Sequence, residues 1–461
     1  MPRRVVVSQA DFAFGELGPD YAASDADAKA RSLKSGRNVR ILNSYAFGQR
    51  PGSRRMATCT ANGIDINLTS SFSGEVIGVI RAAGMDVYDL DGNLIQSVSG
   101  APWSADDVMS LTWHTRKDEL YVSHQGYWPR VFTCSPEGVW SLGLYAFANG
   151  AGGSKRQLYY RFASAGISVT PSALTGTIDV EFSEDVLEAD HVGVRFRYGA
   201  SPTSMKEFQI ATVVDAQNGT ATVIDDLPPT YSVVVADATG FRAGEDVEGK
   251  DSQAKGVIAA VNYGSDTLTV IMSEGFEGFE GSEDIVGPYT KSELSSCSVA
   301  SPAASTVWDE AVFSEVRGYP GDVFEHAGRL GFTDYPNIPG AITMSAPGAV
   351  DDFDLGEGDA SSAIFWVLKA KSGERVRYCV SASNLIVLSD RKAYYVPEDE
   401  STPLAANNFL AVEVGPAGAS SAFPVIVEEG VVYVESGGNR VIGLYSTGDL
   451  GAPWRITDLS R

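Results

Sequence analysis

Along most of the chain, hydrophobic residues alternate with polar ones or gather in short β-branched runs separated by Gly, Asp, Asn and Pro. Period-two alternation bounded by turn residues predicts short strands, and the 3.6-residue period of amphipathic helices is scarce. Between Ile64 and Phe147 the pattern predicts a meander. It has strands over 76–80, 85–88, 119–123, 131–133 and 140–145, with a tight Asp91-Gly92 turn. Gly150-Ala151-Gly152-Gly153-Ser154 is a small-residue boundary. Beyond it the composition turns Gly-, Asp- and Thr-rich, with strands over 177–182, 192–198, 221–224, 231–235, 256–261 and 267–272. The Ser/Ala-rich stretch 295–305 is expected to close this insertion. From Ala311 hairpins return, with strands over 364–368, 376–380, 384–388, 392–396, 409–414, 423–427, 431–435 and 440–445. Two helices are expected. One spans 21–35 and stops at Gly36; the other is short, capped by Ser104 and runs through Leu111.

The expectation is a mainly β protein. β-Propeller-like blades would follow an N-terminal strand/helix segment and carry an inserted small β-barrel or sandwich module. The divisions fall at 1–60 (docking segment), 61–164 (meander), 165–305 (insertion) and 306–461 (hairpin blades). A length of 461 residues suits roughly three domains of about 150 residues. No repeated Trp-Asp signature or fixed period sets the number of blades. The apolar runs are strand-length, well short of the ~20 residues of a membrane helix, so no membrane insertion is expected. The N-terminus, with no long apolar run, reads as an unprocessed, cytoplasmically made start.

Charge changes the picture more. The net charge is −24, yet the first 55 residues hold ten Arg or Lys against five Asp or Glu, which leaves −29 for the rest. An acidic body argues against ordinary nucleic-acid binding. A basic arm on it suggests docking to an acidic neighbour through Arg31, Lys34, Arg37, Arg40, Arg50, Arg54 and Arg55.

Candidate chemistry is sparse. Cys59, Cys134, Cys297 and Cys379 are widely spaced, and His114, His124, His191 and His326 form no metal-ligand pattern, so no cofactor is expected. The acidic run Asp351-Asp352-Phe353-Asp354, with Glu357 and Asp359, lacks EF-hand spacing and reads as a solvated loop rather than a calcium site. Asp179, Glu181, Glu184 and Asp185 could offer a glycosidase-like pair, but acidic pairs are inevitable in such a chain. His114 and His124, beside Trp113, Tyr127 and Trp128, read as packed side chains. The two phenylalanines of Glu274-Gly275-Phe276-Glu277-Gly278-Phe279-Glu280-Gly281 are expected to tuck into the insertion.

Three stretches carry a resemblance. The first is Phe12-Ala13-Phe14-Gly15-Glu16-Leu17-Gly18-Pro19, followed by Asn43-Ser44-Tyr45 and Arg50-Pro51-Gly52-Ser53. The second is Ala101-Pro102-Trp103-Ser104, then Asp118-Glu119-Leu120-Tyr121-Val122-Ser123-His124 and Trp128-Pro129. The third is Tyr319-Pro320-Gly321-Asp322-Val323-Phe324-Glu325-His326-Ala327-Gly328-Arg329-Leu330, with Gly437-Gly438-Asn439-Arg440 beyond it. In this order the set resembles the podovirus tail nozzle proteins, also called tail tubular protein B. It departs at Gly18, where the family usually has Ser, and at Trp103, where Tyr is common. The family also has more sheet beyond a point corresponding to Leu459.

The resemblance implies a non-enzymatic virion protein of the tail, assembled in the host cytoplasm. Such a protein forms a ring, usually of six copies, below the portal and its adaptor. It can meet tail fibres, and it passes DNA through its lumen without specific binding. A ring needs a heterologous interface on each subunit. Fixed carboxylates on the wall would repel phosphates and keep the duplex centred. The candidates for that wall are Asp351, Asp352 and Asp354, and Glu277, Glu280, Glu283 and Asp284. The competing expectation is a carbohydrate-binding or -hydrolysing tail or adhesion β-protein.

Overall fold

The computed structural model describes the backbone of two paired strands, Val39–Ile41 and Phe47–Gln49, and residues 63–460 apart from 357, 369–372, 399–402, 429 and 450–452. The expected helix over 21–35 lies outside the described residues.

The chain is mainly β and built of propeller-like blades. Among the described residues, five antiparallel meanders of four strands follow one another. Blade 1 comprises Gly63–Ser70, Gly74–Arg81, Gly84–Tyr88 and Leu94–Ser99. Blade 2 comprises Thr112–Arg116, Glu119–His124, Tyr127–Cys134 and Trp140–Leu144. Blade 3 comprises Asp322–His326, Arg329–Thr333, Ala341–Met344 and Ile364–Val367. Blade 4 comprises Val376–Ser381, Leu385–Ser389, Ala393–Val396 and Val412–Gly415. Blade 5 comprises Val425–Val427, Gly430–Val434, Val441–Ser446 and Trp454–Asp458.

Alternation explains why the outer members of this array form strands. In Gly63–Ser70 the side chains of Ile66 and Leu68 are buried while Asp65, Asn67 and Thr69 face solvent. Each blade then buries its apolar faces against its neighbours. Ile66, Leu68 and Met85 of blade 1 share a core with Leu120 and Phe132 of blade 2. Tyr121 of blade 2 joins Leu330 and Phe332 of blade 3. Ile342 and Met344 join Leu385 and Val387 of blade 4, and Ile386 and Leu388 join Val431 and Leu444 of blade 5. Among the described residues, none of these cores unites blade 5 with blade 1. Phe423, Val425, Ile426 and Val441 stay exposed on blade 5 and the segment entering it.

Two modules sit between blades 2 and 3. A seven-stranded sheet joins Tyr159–Tyr160 to Trp308–Ala311, and continues through Arg195–Tyr198, Lys206–Val213, Asn218–Val223, Thr177–Phe182 and Val169–Pro171. A closed six-stranded barrel is made of Thr230–Val235, Asp246–Gly249, Lys255–Asn262, Thr267–Glu274, Asp284–Val286 and Lys291–Ala300. Its first and last residues are paired neighbours, Thr230 opposite Ala300.

Local expectations need three corrections. The short helix after Ser104 is a single 3-10 turn, Val108–Ser110, preceded by Asp107, which makes no side-chain capping bond to it; its carboxylate instead accepts from the Ser104 N–H and hydroxyl at 2.8 and 2.7 Å. The Ser/Ala-rich stretch holds an unexpected strand: residues 295–300 complete the ten-residue strand Lys291–Ala300, whose small side chains pair along Thr230–Val235. Of the two phenylalanines near the barrel, Phe279 is buried but Phe276 is exposed.

Candidate functional site at the blade axis

The first strands of blades 2, 3 and 4 and the entry to blade 5 converge, and two cavities open between them. One, of about 180 Å³, is lined by Trp113, His114, Asp322, Glu325, Cys379 and Phe423, among others. Trp113 and Phe423 stack across it with ring centroids 4.9 Å apart and planes within 7°. His114 Nε2 lies 3.2 Å from the Glu325 carboxylate, which also accepts from Arg116 at 3.4 Å. Burial depresses the His114 pKa despite that carboxylate. Asp322 is wholly buried and accepts a hydrogen bond from the Cys379 N–H at 3.1 Å. Burial pushes its carboxyl well above the usual range, and it likewise raises the Cys379 thiol. The thiol is thereby held protonated, the opposite of what a nucleophilic cysteine requires.

At the end of this cavity Ser381 Oγ lies 2.8 Å from His326 Nδ1, and His326 Nε2 meets Glu398 on its other side. A hydroxyl, an imidazole and a carboxylate in line is the order of a nucleophile, its base and an orienting acid.

The second cavity, of about 210 Å³, lies toward the starts of the same strands and is lined by His124, Gln125, Asp334, Arg375, Arg377 and Ser421, among others. Arg375 forks onto Asp334, with Nη2 at 2.8 Å, and Gln125 Nε2 also donates to that carboxylate at 3.0 Å. His124 Nδ1 accepts from the Gly126 N–H, which leaves Nε2 as the nitrogen facing Ser110 Oγ at 3.1 Å. Burial lowers its pKa.

The acidic candidates lie elsewhere. Asp351, Asp352 and Asp354 occupy the long connection inside blade 3, where Arg156 meets Asp352 at 2.8 Å and Asp354 at 3.6 Å. Glu277, Glu280, Glu283 and Asp284 belong to the barrel. Although burial opposes it, hydrogen bonds from the N–H groups of Ser252, Glu280 and Asp251 hold the Glu283 carboxyl below its usual range, and Asp284 pairs with Lys291 at 3.0 Å. Neither set lines the axial cavities. Of the basic candidates, Arg31, Lys34, Arg37, Arg50, Arg54 and Arg55 lie outside the described residues; Arg40 is placed by its backbone alone, opposite Gly48.

Sequence reading passed over Arg375 and Arg377, although Arg-Val-Arg at the start of a strand was a visible signal. It also missed the Ser381–His326–Glu398 line, whose members are far apart in sequence. Among the described residues, no group of three or more His, Cys, Asp or Glu is placed to hold a metal ion, and no helix is long and apolar enough to cross a membrane.

No protein-family model matches the chain, and no curated protein matches it. Among solved structures, it is similar to a protein described as a 6-phosphogluconolactonase from Bacteroides fragilis, with a TM-score of 0.30, 9% identity and 85% of this chain and 81% of that one covered. Apo AztD from Citrobacter koseri gives a TM-score of 0.26, 10% identity and coverages of 85% and 88%. The endosialidase of phage phi92 gives 0.18, 10%, and coverages of 97% and 74%. At such low TM-scores these similarities carry no argument about activity or partners.

Proposed function

We propose that the chain is a structural, non-enzymatic subunit of a short phage tail, forming the nozzle ring through which the genome leaves. The observation that carries this reading is the meeting of two of the stretches on which the nozzle resemblance rests. The Ser123 hydroxyl donates to the Pro320 carbonyl at 2.5 Å, and the Tyr319 N–H donates to the Gln125 carbonyl at 3.1 Å. Close by, Thr112 Oγ1 donates to the Gly321 carbonyl at 2.9 Å. Arg329 of the third stretch is buried, and its guanidinium donates to the carbonyls of Ser345, Ser362, Ala360 and Leu404. The Thr112, Ser123 and Tyr319 bonds tie blade 2 to blade 3, and Arg329 ties blade 3 to the connection within blade 4, which supports their reading as framework. The exposed apolar residues at blade 5 supply a surface for the heterologous contact a ring requires. The partners on this reading are further copies, an adaptor ring below the portal and tail fibres, with the basic N-terminal arm docking and acidic side chains toward the lumen.

The experiment is to image virions in which this chain carries a tag on an exposed barrel loop. A ring of tags around the tail axis is expected. Tags on trimeric spikes, or their absence from virions, would reject the nozzle.

A second reading, hydrolysis, draws on the Ser381–His326–Glu398 line, which suits acyl rather than glycosyl transfer. A fluorophosphonate that labels the wild-type protein at Ser381, but neither Ser381→Ala nor His326→Gln, would favour it over the structural role.

A further inference from the structure

Arg377 is anomalous. It lies on the first strand of blade 4, between Val376 and Tyr378, where the pairing with Leu385–Ser389 shifts register. Val376 and Cys379, three positions apart, face the core shared with blade 3, whereas Tyr378 and Val380 face blade 5. Such spacing marks a bulge that inserts one residue, and bulges commonly re-aim a side chain beside a functional site. The inserted side chain lines the second axial cavity, and its Nε is buried without a hydrogen-bond partner. Among the described residues no ion pair or hydrogen bond involves the Arg377 side chain. Leaving a buried donor of this kind unsatisfied is costly, more so for a charged group.

The neighbours sharpen the point. Arg375 uses Nε and Nη2 on Asp334, which leaves Nη1 uncommitted. Gln125 is held by the backbone and side chain of Asp334, and Ser110 and His124 bond each other. Asp322 is packed behind, its carboxyl pushed upward by burial. Of the groups lining the cavity, two are guanidiniums and one, Asp334, is a carboxylate; Asp390, outside the lining, also acts on Arg375, which leaves Arg377 as the guanidinium with no carboxylate on it. The volume of about 210 Å³ holds several waters at the ~30 Å³ each takes in liquid, but not a nucleic-acid duplex.

We propose that this cavity binds a small phosphate-type oxyanion, with Arg377 as its principal ligand and Arg375 Nη1 and the Ser421 hydroxyl as supporting donors. A guanidinium fork matches such an anion in two parallel, charge-assisted hydrogen bonds. The inference stands on the cavity alone and is independent of the nozzle reading.

The test titrates inorganic phosphate into the full-length protein by calorimetry and follows Tm, which rises with the concentration of any ligand that binds only the folded state. Saturable binding is expected. Arg377→Met should weaken it about ten- to a hundredfold, the loss of one charged hydrogen-bonding partner, and Arg377→Lys should weaken it less. If Arg377→Met fails to fold, Arg377→Lys and Ser421→Ala carry the comparison, and each should bind measurably less tightly than wild type. A short DNA duplex added together with phosphate distinguishes the sources: it should leave phosphate binding unchanged. The proposal is overturned by the absence of saturable phosphate binding to the wild type, by equal affinity in the variants, or by a duplex that displaces phosphate.

Discussion

At the residue scale, burial decides what the polar groups can do. Asp322 has its pKa raised in the folded protein, so folding favours its protonated form. Its contribution to stability is fully present below the unfolded value near 3.8 and is lost as pH climbs from there through the raised folded pKa. Asp322→Asn keeps an acceptor for the Cys379 N–H but cannot ionise. Relative to this variant, the wild type should lose stability steadily as pH rises above about 4, as read from urea melts across pH. A constant difference from pH 3 to 8 would show that Asp322 does not titrate differently in the folded state. A second position concerns the backbone. The hairpin joining Asp322–His326 to Arg329–Thr333 turns on Ala327 at φ 50° and Gly328 at φ 71°. That two-residue turn favours Asn-Gly, and left-handed Ala costs roughly 1–2 kcal/mol. Ala327 is exposed, so Ala327→Asn should stabilise the protein by about 0.5–1 kcal/mol, measured as a higher urea midpoint at unchanged slope.

At the scale of elements, the barrel is the most separable piece. It closes its own core of Tyr231, Val233, Phe241, Leu268 and Ile285, and its ends meet at Thr230 and Ala300. Replacing it by a short Gly-Ser linker should leave the blades folded, with the far-UV β signal and a cooperative melt retained. A molten or insoluble product would show that Ile271, which packs into the seven-stranded sheet's core, is indispensable there. The same scale shows what the sequence could reveal. Hairpins such as Gly430–Val434 with Val441–Ser446 were legible because a four-residue Gly-rich turn separates two β-branched runs. The first three strands of blade 3 were not. Arg329–Thr333 and Ala341–Met344 are buried throughout, with Arg329, Thr333 and Thr343 inside as well, so neither has the solvent-facing half that makes a strand readable. Lys291–Ala300 was hidden for the opposite reason, being mostly small and polar. The axial site was illegible because its residues come from four blades, and because the bulge at Arg377 breaks the period that would have flagged it.

At the scale of the molecule, charge sets how copies meet. With −24 on each chain, neighbouring subunits of the proposed ring repel one another, and salt screens that repulsion over ~8 Å at physiological ionic strength. Ring formation by purified protein should therefore increase between low and moderate salt, followed by sedimentation velocity. If instead the basic arm on an acidic body dominates the contact, rings should dissociate as salt rises. The sign of the dependence separates apolar association near Val425 and Val441 from arm-mediated docking.

The insertion between blades 2 and 3 also imposes an order on biosynthesis. Ser123 and its acceptor Pro320 are 197 positions apart in the chain. At about 5–20 residues per second, a ribosome needs roughly 10–40 s to deliver the second after the first. Throughout that interval the face of blade 2 bearing Tyr121, Tyr145 and Phe147 has no blade 3 to cover it. Early folding of the barrel, whose ends coincide, shortens the effective loop still to be closed. The modules that interrupt the blades thus help to end the exposure they create, and the nascent chain at this stage is a natural client for a chaperone that shields aromatic surface.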